Sequence, residues 1–242
     1  MENASKALIM AGSVLIALLV ISLIVVGYGQ ISEWQQTVDD TEQVATDTEY
    51  MLQIEQFNRD LYGSELLSLM NFVENYNARE AGDGYSPIQL NITIRNGISD
   101  SSDYFKAGNY DIDRLYDEVK GSNGIETEIE KYEEPDSRYN NKSVEYYWSK
   151  TYRQIAQEFE LEIPSNTPTS DLENVLLELA REKGIGSRIQ DLLDDIAEYD
   201  LLNSIYTQFR EGKIFSPAED NGFVYDEHNG RVIEINFVER TY

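Results

Sequence analysis

The sequence has no cysteine. That absence excludes disulfides, thiolate metal sites, a cysteine nucleophile and a lipid-modified lipoprotein cysteine in one step. Histidine is nearly absent too. His228 stands alone, in a polar stretch that reads as a hairpin turn, so Ser-His-Asp catalysis and histidine-rich zinc sites are not expected. Basic residues are scarce, 19 against 45 acidic ones for a formal charge of −26, and a field of that sign repels nucleic acid and other polyanions. A nucleic-acid partner is therefore not expected. Also missing are a Gly-x-x-x-x-Gly-Lys phosphate loop, Gly-x-Gly-x-x-Gly and Gly-x-Ser-x-Gly. With no such motif, no residue is assigned a catalytic, cofactor-binding or metal-binding role, and the chain reads as non-enzymatic.

What is present begins with one long apolar run. Ala7 to Tyr28 holds 22 residues without a charge, close to the ~20 needed to cross a hydrocarbon core. It exceeds the ~7–15 apolar residues of a cleaved signal peptide, although Gly27 and Gly29 supply small residues at a conceivable cleavage point. Lys6 precedes the run and the next basic residue is Arg59, so the positive-inside rule predicts a cytoplasmic N-terminus and an extracytoplasmic domain in a single-pass membrane protein. The expected lay-out is residues 1–6 cytoplasmic, 7–28 transmembrane, 29–62 a stalk helix and 63–242 an acidic α+β domain. Membrane lipid is then a partner through the N-terminal helix. Ala4, Ala7 and Ala11, with Ser13 and Ala17, are spaced so that two such helices could pack closely; the bland reading is that alanine is common in membrane helices.

Ile31, Trp34, Val38, Thr41, Ala45, Thr48 and Leu52 recur at steps of three and four, which predicts the stalk helix. Tyr62-Gly63-Ser64 reads as a turn and cap before a helix with Leu66, Leu67, Met70 and Val73 on one face. Ile88 to Ile94 alternates strictly and predicts a half-buried strand. Ile112, Leu115, Tyr116 and Val119 predict a short helix. Val144, Trp148, Tyr152, Ile155 and Phe159 fit one helical face, although Val144, Tyr146 and Trp148 would also begin a strand. Ser170 with Glu173 and Ser187 with Gln190 are spaced as capping boxes for two helices joined at Gly184-Ile185-Gly186. Near the C-terminus, Phe223-Val224-Tyr225 and Val232 to Phe237 flank Asp226 to Gly230, where Asn-Gly is a strong hairpin signal. The predicted fold is a long N-terminal transmembrane and stalk helix followed by a domain with a small antiparallel sheet and several helices.

Four groups of residues invite a functional reading. The carboxylate pairs Asp39-Asp40, Asp194-Asp195 and Glu133-Glu134 suit acid–base chemistry only if two converge in space, and in so acidic a chain they arise by composition. Asp111-Ile112-Asp113 begins like a calcium loop, but Leu115 takes the next ligand position and the sharp-turn glycine is missing. Asn91-Ile92-Thr93 and Asn141-Lys142-Ser143 fit the glycosylation pattern. Tyr139, Tyr146, Tyr147, Trp148 and Tyr152, beside Lys150 and Arg153, form either core or a patch for sugar rings or a protein partner.

Two stretches carry a resemblance. Glu2 to Gly12 leading into the span, with Gln56-Phe57-Asn58 and Tyr62-Gly63-Ser64, resembles the opening of a group of single-span membrane proteins of Gram-positive gut bacteria. The tail Phe209-Arg210, Phe215, Val224-Tyr225, Gly230-Arg231-Val232 and Phe237 resembles their C-terminal part. The group implies topology and no activity. The lay-out is also similar to type IV pilins and pseudopilins, which implies a surface assembly, but their basic leader ending in Gly and the Glu inside the apolar run have no counterpart here. The function expected is a membrane-anchored extracytoplasmic protein acting through protein–protein contacts, as a pilin-like or secretion-apparatus component. The alternative is a membrane-tethered binding or sensing module for a cation or a cell-wall glycan.

Overall fold

A computed structural model of the chain describes residues 50–78, 87–98 and 103–241. Backbone contacts divide the chain into two units, Met1–Glu55 and Gln56–Tyr242. The span expected over residues 7–28, and the stalk as far as residue 49, lie outside the described residues. Among the described residues no helix is long and apolar enough to cross a membrane. Residues 50–55 are helical, but the helix stops there rather than at residue 62. Leu61–Tyr62 form a short strand, β1, because they pair antiparallel with Phe215 and Ile214. Tertiary pairing overrides the local helical pattern.

The second unit is α+β. After β1 come helix α1 (Gly63–Asn77), strands β2 (Gln89–Ile94) and β3 (Gly108–Asp111), then helices α2 (Ile112–Lys120), α3 (Ile125–Glu133), α4 (Val144–Trp148), α5 (Tyr152–Glu158), α6 (Leu172–Glu182) and α7 (Gly186–Gly212). Strands β4 (Ile214–Pro217), β5 (Phe223–Tyr225) and β6 (Val232–Glu239) close the chain. The sheet runs β1-β4-β6-β2-β3, with β5 also on β6. The expected antiparallel sheet is in fact mixed, because β2 and β6 pair in parallel while the other pairs are antiparallel. A parallel pair needs a long crossover, and the helices between β2 and β6 supply one.

The alternation in β2 places Leu90, Ile92 and Ile94 in the core. In the parallel register Leu90 lies beside Ile235 and Ile92 beside Phe237, both also buried. The residues between them make the polar outer face, where the Asn91 side chain donates to Glu234 and Asn236. Helix α1 buries Leu66, Leu67, Leu69, Met70, Val73 and Tyr76. Its last side chain, Asn77, is bonded to both the N–H and the carbonyl of Ile88, 2.7 and 2.8 Å, which fixes where β2 begins. Gly63 starts α1 against the end of α7, so close that an added Cβ would lie 2.0 Å from the Phe209 carbonyl oxygen.

Helix α7, about 40 Å long at 1.5 Å per residue, is the spine. It packs on α1, α3, α4 and α6 and buries Ile189, Leu192, Tyr199, Leu202, Ile205 and Phe209. Phe209 stacks on Phe105 with centroids 3.9 Å apart. Glu118 accepts from the Phe105 N–H, which holds that residue at φ 52.

Several local expectations need correction. The single helix drawn through Val144 to Phe159 is two, α4 and α5, because Thr151 and Gln154 form a capping box that starts a new helix. The boxes expected at Ser170 and Ser187 do not form. A 3-10 turn over Thr169–Asp171 leads into α6 and uses Ser170 to bond Asp171, while α7 starts at Gly186, before Ser187. Gly184 at φ 79 makes the expected joint between α6 and α7. The C-terminal hairpin forms with Gly230 at φ 70.

Candidate functional site

The aromatic cluster divides into three parts. Tyr139 and Tyr147 are fully buried. Tyr147 stacks on Phe159 and donates to the Tyr139 carbonyl at 3.1 Å, and Tyr139 donates to Asp195 at 2.7 Å. Burial pushes both phenols up, helped for Tyr139 by the bond to Asp195, so they are protonated core groups. Tyr146 donates to Glu158 at 2.6 Å and lies under the ammonium groups of Lys150 and Lys142, 4.1 and 5.0 Å from its centroid. The Tyr146 hydroxyl, ahead of Lys150, holds the Glu158 carboxyl below its ordinary range. Cation–π contacts of this kind stabilise a surface.

Trp148 and Tyr152 are different. With the buried Tyr147 behind them, they line an open groove of about 660 Å³ bounded by α4, α5, the Thr169–Asp171 turn, α6 and α7, within the ~300–1,000 Å³ range of ligand pockets. Trp148 ends α4 and stays 46% exposed. Its indole N–H donates to Asp200 at 3.0 Å and its ring meets the buried Tyr199 edge-on at 5.6 Å. Tyr152 donates to Glu173 at 2.9 Å, and that bond, ahead of burial, raises its phenol. Ile155, Leu172, Leu193, Ile196 and Ala197 supply apolar lining, while Lys150, Thr151, Thr169, Glu173, Asp194 and Asp200 supply polar groups.

Arg153 builds one wall of this region without lining the groove. Its guanidinium donates to the carbonyls of Ile163, Pro164, Ser165 and Thr167 at 3.1–3.4 Å. The fork of donors suits such a loop, and that loop leads to the 3-10 turn beside the groove.

The other candidates are scattered or engaged. Asp39-Asp40 lies outside the described residues. Asp194 and Asp195 diverge around the α7 axis: Asp194 faces the groove, and Asp195 takes bonds from Tyr139 and Arg138. Glu133 takes a long bond from Tyr199. Asp111 caps α2 by accepting from the Arg114 N–H at 2.9 Å, so it serves the helix rather than a calcium loop. Among the described residues no group of three His, Asp or Glu is placed to hold a metal ion. His228 is 94% exposed beside Asp226 in the hairpin turn. Asn91 is tied into the outer face of the sheet, and Asn141 sits in a left-handed turn at φ 56.

Leu193, Ile196, Ala197 and Asp200 follow one another at helical spacing, and Leu193 widens the apolar stripe of α7 beyond the face that α1, α3 and α4 cover. An apolar stripe wider than the helix can bury was the available signal. Comparison with protein-family models, with curated proteins and with solved structures gave no match.

Proposed function

We propose that the chain is a membrane-anchored extracytoplasmic protein, non-enzymatic, that acts through protein–protein contacts, and that the groove beside Trp148 is its contact surface. The anchor is Ala7 to Tyr28 with the N-terminus cytoplasmic, as the sequence predicts. The observation that carries the contact reading is Trp148: a half-exposed indole, hydrogen-bonded at one end, over a concave apolar lining. Tryptophan is among the residues enriched as interface anchors, with tyrosine and arginine. A pilin-like or secretion-apparatus assembly is the kind of complex such a tethered domain would join.

The test is native electrophoresis of gently solubilised membranes. The wild-type chain is expected in an assembly larger than its own mass, and Ala197→Trp, which fills the groove from an exposed position on α7, is expected to run alone. A wild-type chain that runs alone contradicts the reading. So does an assembly indifferent to Ala197→Trp.

A second reading, a tethered glycan-binding module, is favoured by one feature, the presence of Trp148 and Tyr152 beside carboxylates in the same groove. Saturable binding of a neutral oligosaccharide that Trp148→Ala abolishes would select it over the first.

A further inference from the structure

We infer that the groove takes a cationic amphipathic peptide segment, with an aliphatic side chain seated on the apolar lining and lysine or arginine held at the acidic rim. The inference rests on reading the groove as the contact surface and names the chemistry of the occupant. Its basis is the distribution of groups around Trp148. The lining sets the aliphatic Ile155, Leu172, Leu193 and Ile196 beside three aromatic residues, Tyr147, Trp148 and Tyr152, and so offers a seat for an aliphatic side chain. All three aromatic groups have their polar tips engaged, Tyr147 with the Tyr139 carbonyl, Trp148 with Asp200 and Tyr152 with Glu173. Their hydrogen-bonding capacity is therefore directed inward instead of at sugar hydroxyls.

The rim is charged in one sense. Glu173, Asp194 and Asp200 line the groove against a single cation, Lys150, which lies 3.6 Å from Glu158. Each rim carboxylate has acceptor capacity beyond the one neutral donor it is shown to bind, because an ionised carboxylate offers about four lone-pair sites. A lysine or arginine can join without displacing the indole or the phenol. The remainder of the chain reinforces the sign, since a formal charge of −26 favours a cationic segment over an anionic one. An exposed aliphatic lining ringed by carboxylates is complementary to a helix or extended segment that alternates aliphatic and basic residues.

The experiment uses the full chain in zwitterionic nanodiscs and dye-labelled synthetic peptides read by fluorescence anisotropy. One peptide pairs leucine with lysine on a single face, a second replaces leucine by serine, and a third replaces lysine by glutamate. The first is expected to bind saturably, the second at least about tenfold more weakly and the third not at all. Asp194→Asn with Asp200→Asn keeps the hydrogen bonds to Gln190 and Trp148 while removing two charges. It is expected to weaken the first peptide about tenfold and to flatten its salt dependence. Ala197→Trp is expected to abolish binding, with circular dichroism unchanged. Equal binding of the first two peptides, or binding indifferent to Ala197→Trp, would mean that general acidity attracts them, and overturns the inference. A neutral chito-oligosaccharide that binds where the peptides do not also overturns it, in favour of the glycan reading. If native electrophoresis shows the groove-dependent assembly and the peptides fail, the contact reading stands and only the cationic chemistry falls.

Discussion

Removing the carboxylate of Glu239 is predicted to cost a large fraction of the stability of the second unit. Glu239 is 4% exposed and lies 2.6 Å from the Lys213 ammonium, itself 15% exposed. Its second oxygen accepts from the N–H groups of Arg95 and Asn96 at 2.8 and 2.9 Å, and Lys213 also donates to the Asn96 carbonyl at 2.7 Å. One carboxylate thus joins the end of β6 to the turn after β2 and to the link between α7 and β4. Glu239→Ala leaves the largely covered Lys213 ammonium without its counter-charge, with the Asn96 carbonyl still its acceptor, and strands two backbone donors. Breaking a buried pair from one side typically costs about 3–5 kcal/mol, against a total of about 5–15 kcal/mol for a domain. Glu239→Gln retains an acceptor for the backbone donors and should cost less than Glu239→Ala. Urea unfolding of the detergent-solubilised chain, followed by near-ultraviolet circular dichroism, measures both. A double-mutant cycle with Lys213→Met should give a coupling well above that of the exposed Arg240–Asp60 pair, for which less than about 1 kcal/mol is expected. A cost for Glu239→Ala below about 1 kcal/mol, or no coupling to Lys213, would refute the reasoning.

Three further outcomes follow from the packing. Gly63→Ala forces a Cβ to within 2.0 Å of the Phe209 carbonyl oxygen and should destabilise by at least the ~1–3 kcal/mol of an overpacked site; thermal unfolding equal to wild type contradicts this close approach. Burial pushes the Glu118 carboxyl up, against the lowering effect of its bonds from Phe105 and Tyr110. Its contribution to stability is therefore full below the ordinary carboxylate range and is lost as pH rises through the folded value. Glu118→Gln, which stays neutral, should raise the melting temperature at neutral pH and flatten that decline, and a lower melting temperature at neutral pH counts against it. Arg153→Ala, which frees the carbonyls of Ile163, Pro164, Ser165 and Thr167, should speed amide exchange in that loop and weaken groove binding with little change in global stability; unchanged exchange there removes its positioning role.

Local periodicity carried much of the fold. Alternation in Ile88 to Ile94 located β2 and its buried face, the Leu115 and Val119 spacing located α2, and Asn229-Gly230 located the hairpin. Pairing partners were not legible. β1 and β4 are too short to show a period, and the parallel placement of β2 beside β6 depends on how the intervening helices pack. Cap chemistry misled at Ser170 and Ser187, where a 3-10 turn and an earlier start of α7 took the first turn out of register with the serines. It was unread at Thr151, where the same chemistry splits one expected helix in two. Of the site, the Tyr-rich patch was visible as a group of residue types. Its division was not, because Tyr147 and Trp148 are neighbours on α4 and only the packing of that helix buries one and leaves the other half-exposed. Glu173 and Asp200, one on α6 and one on α7, entered the groove through tertiary packing alone.

The contact claim is tested most directly by a photoreactive amino acid placed at Ala197 in intact cells. Irradiation is expected to yield one discrete protein adduct, absent when the same group is placed at the exposed Asn75 on α1. Charge neutralisation at Asp194 and Asp200 should reduce its yield. No adduct from Ala197, or the same adducts from Asn75, would contradict the assignment of this groove as the surface through which the protein works.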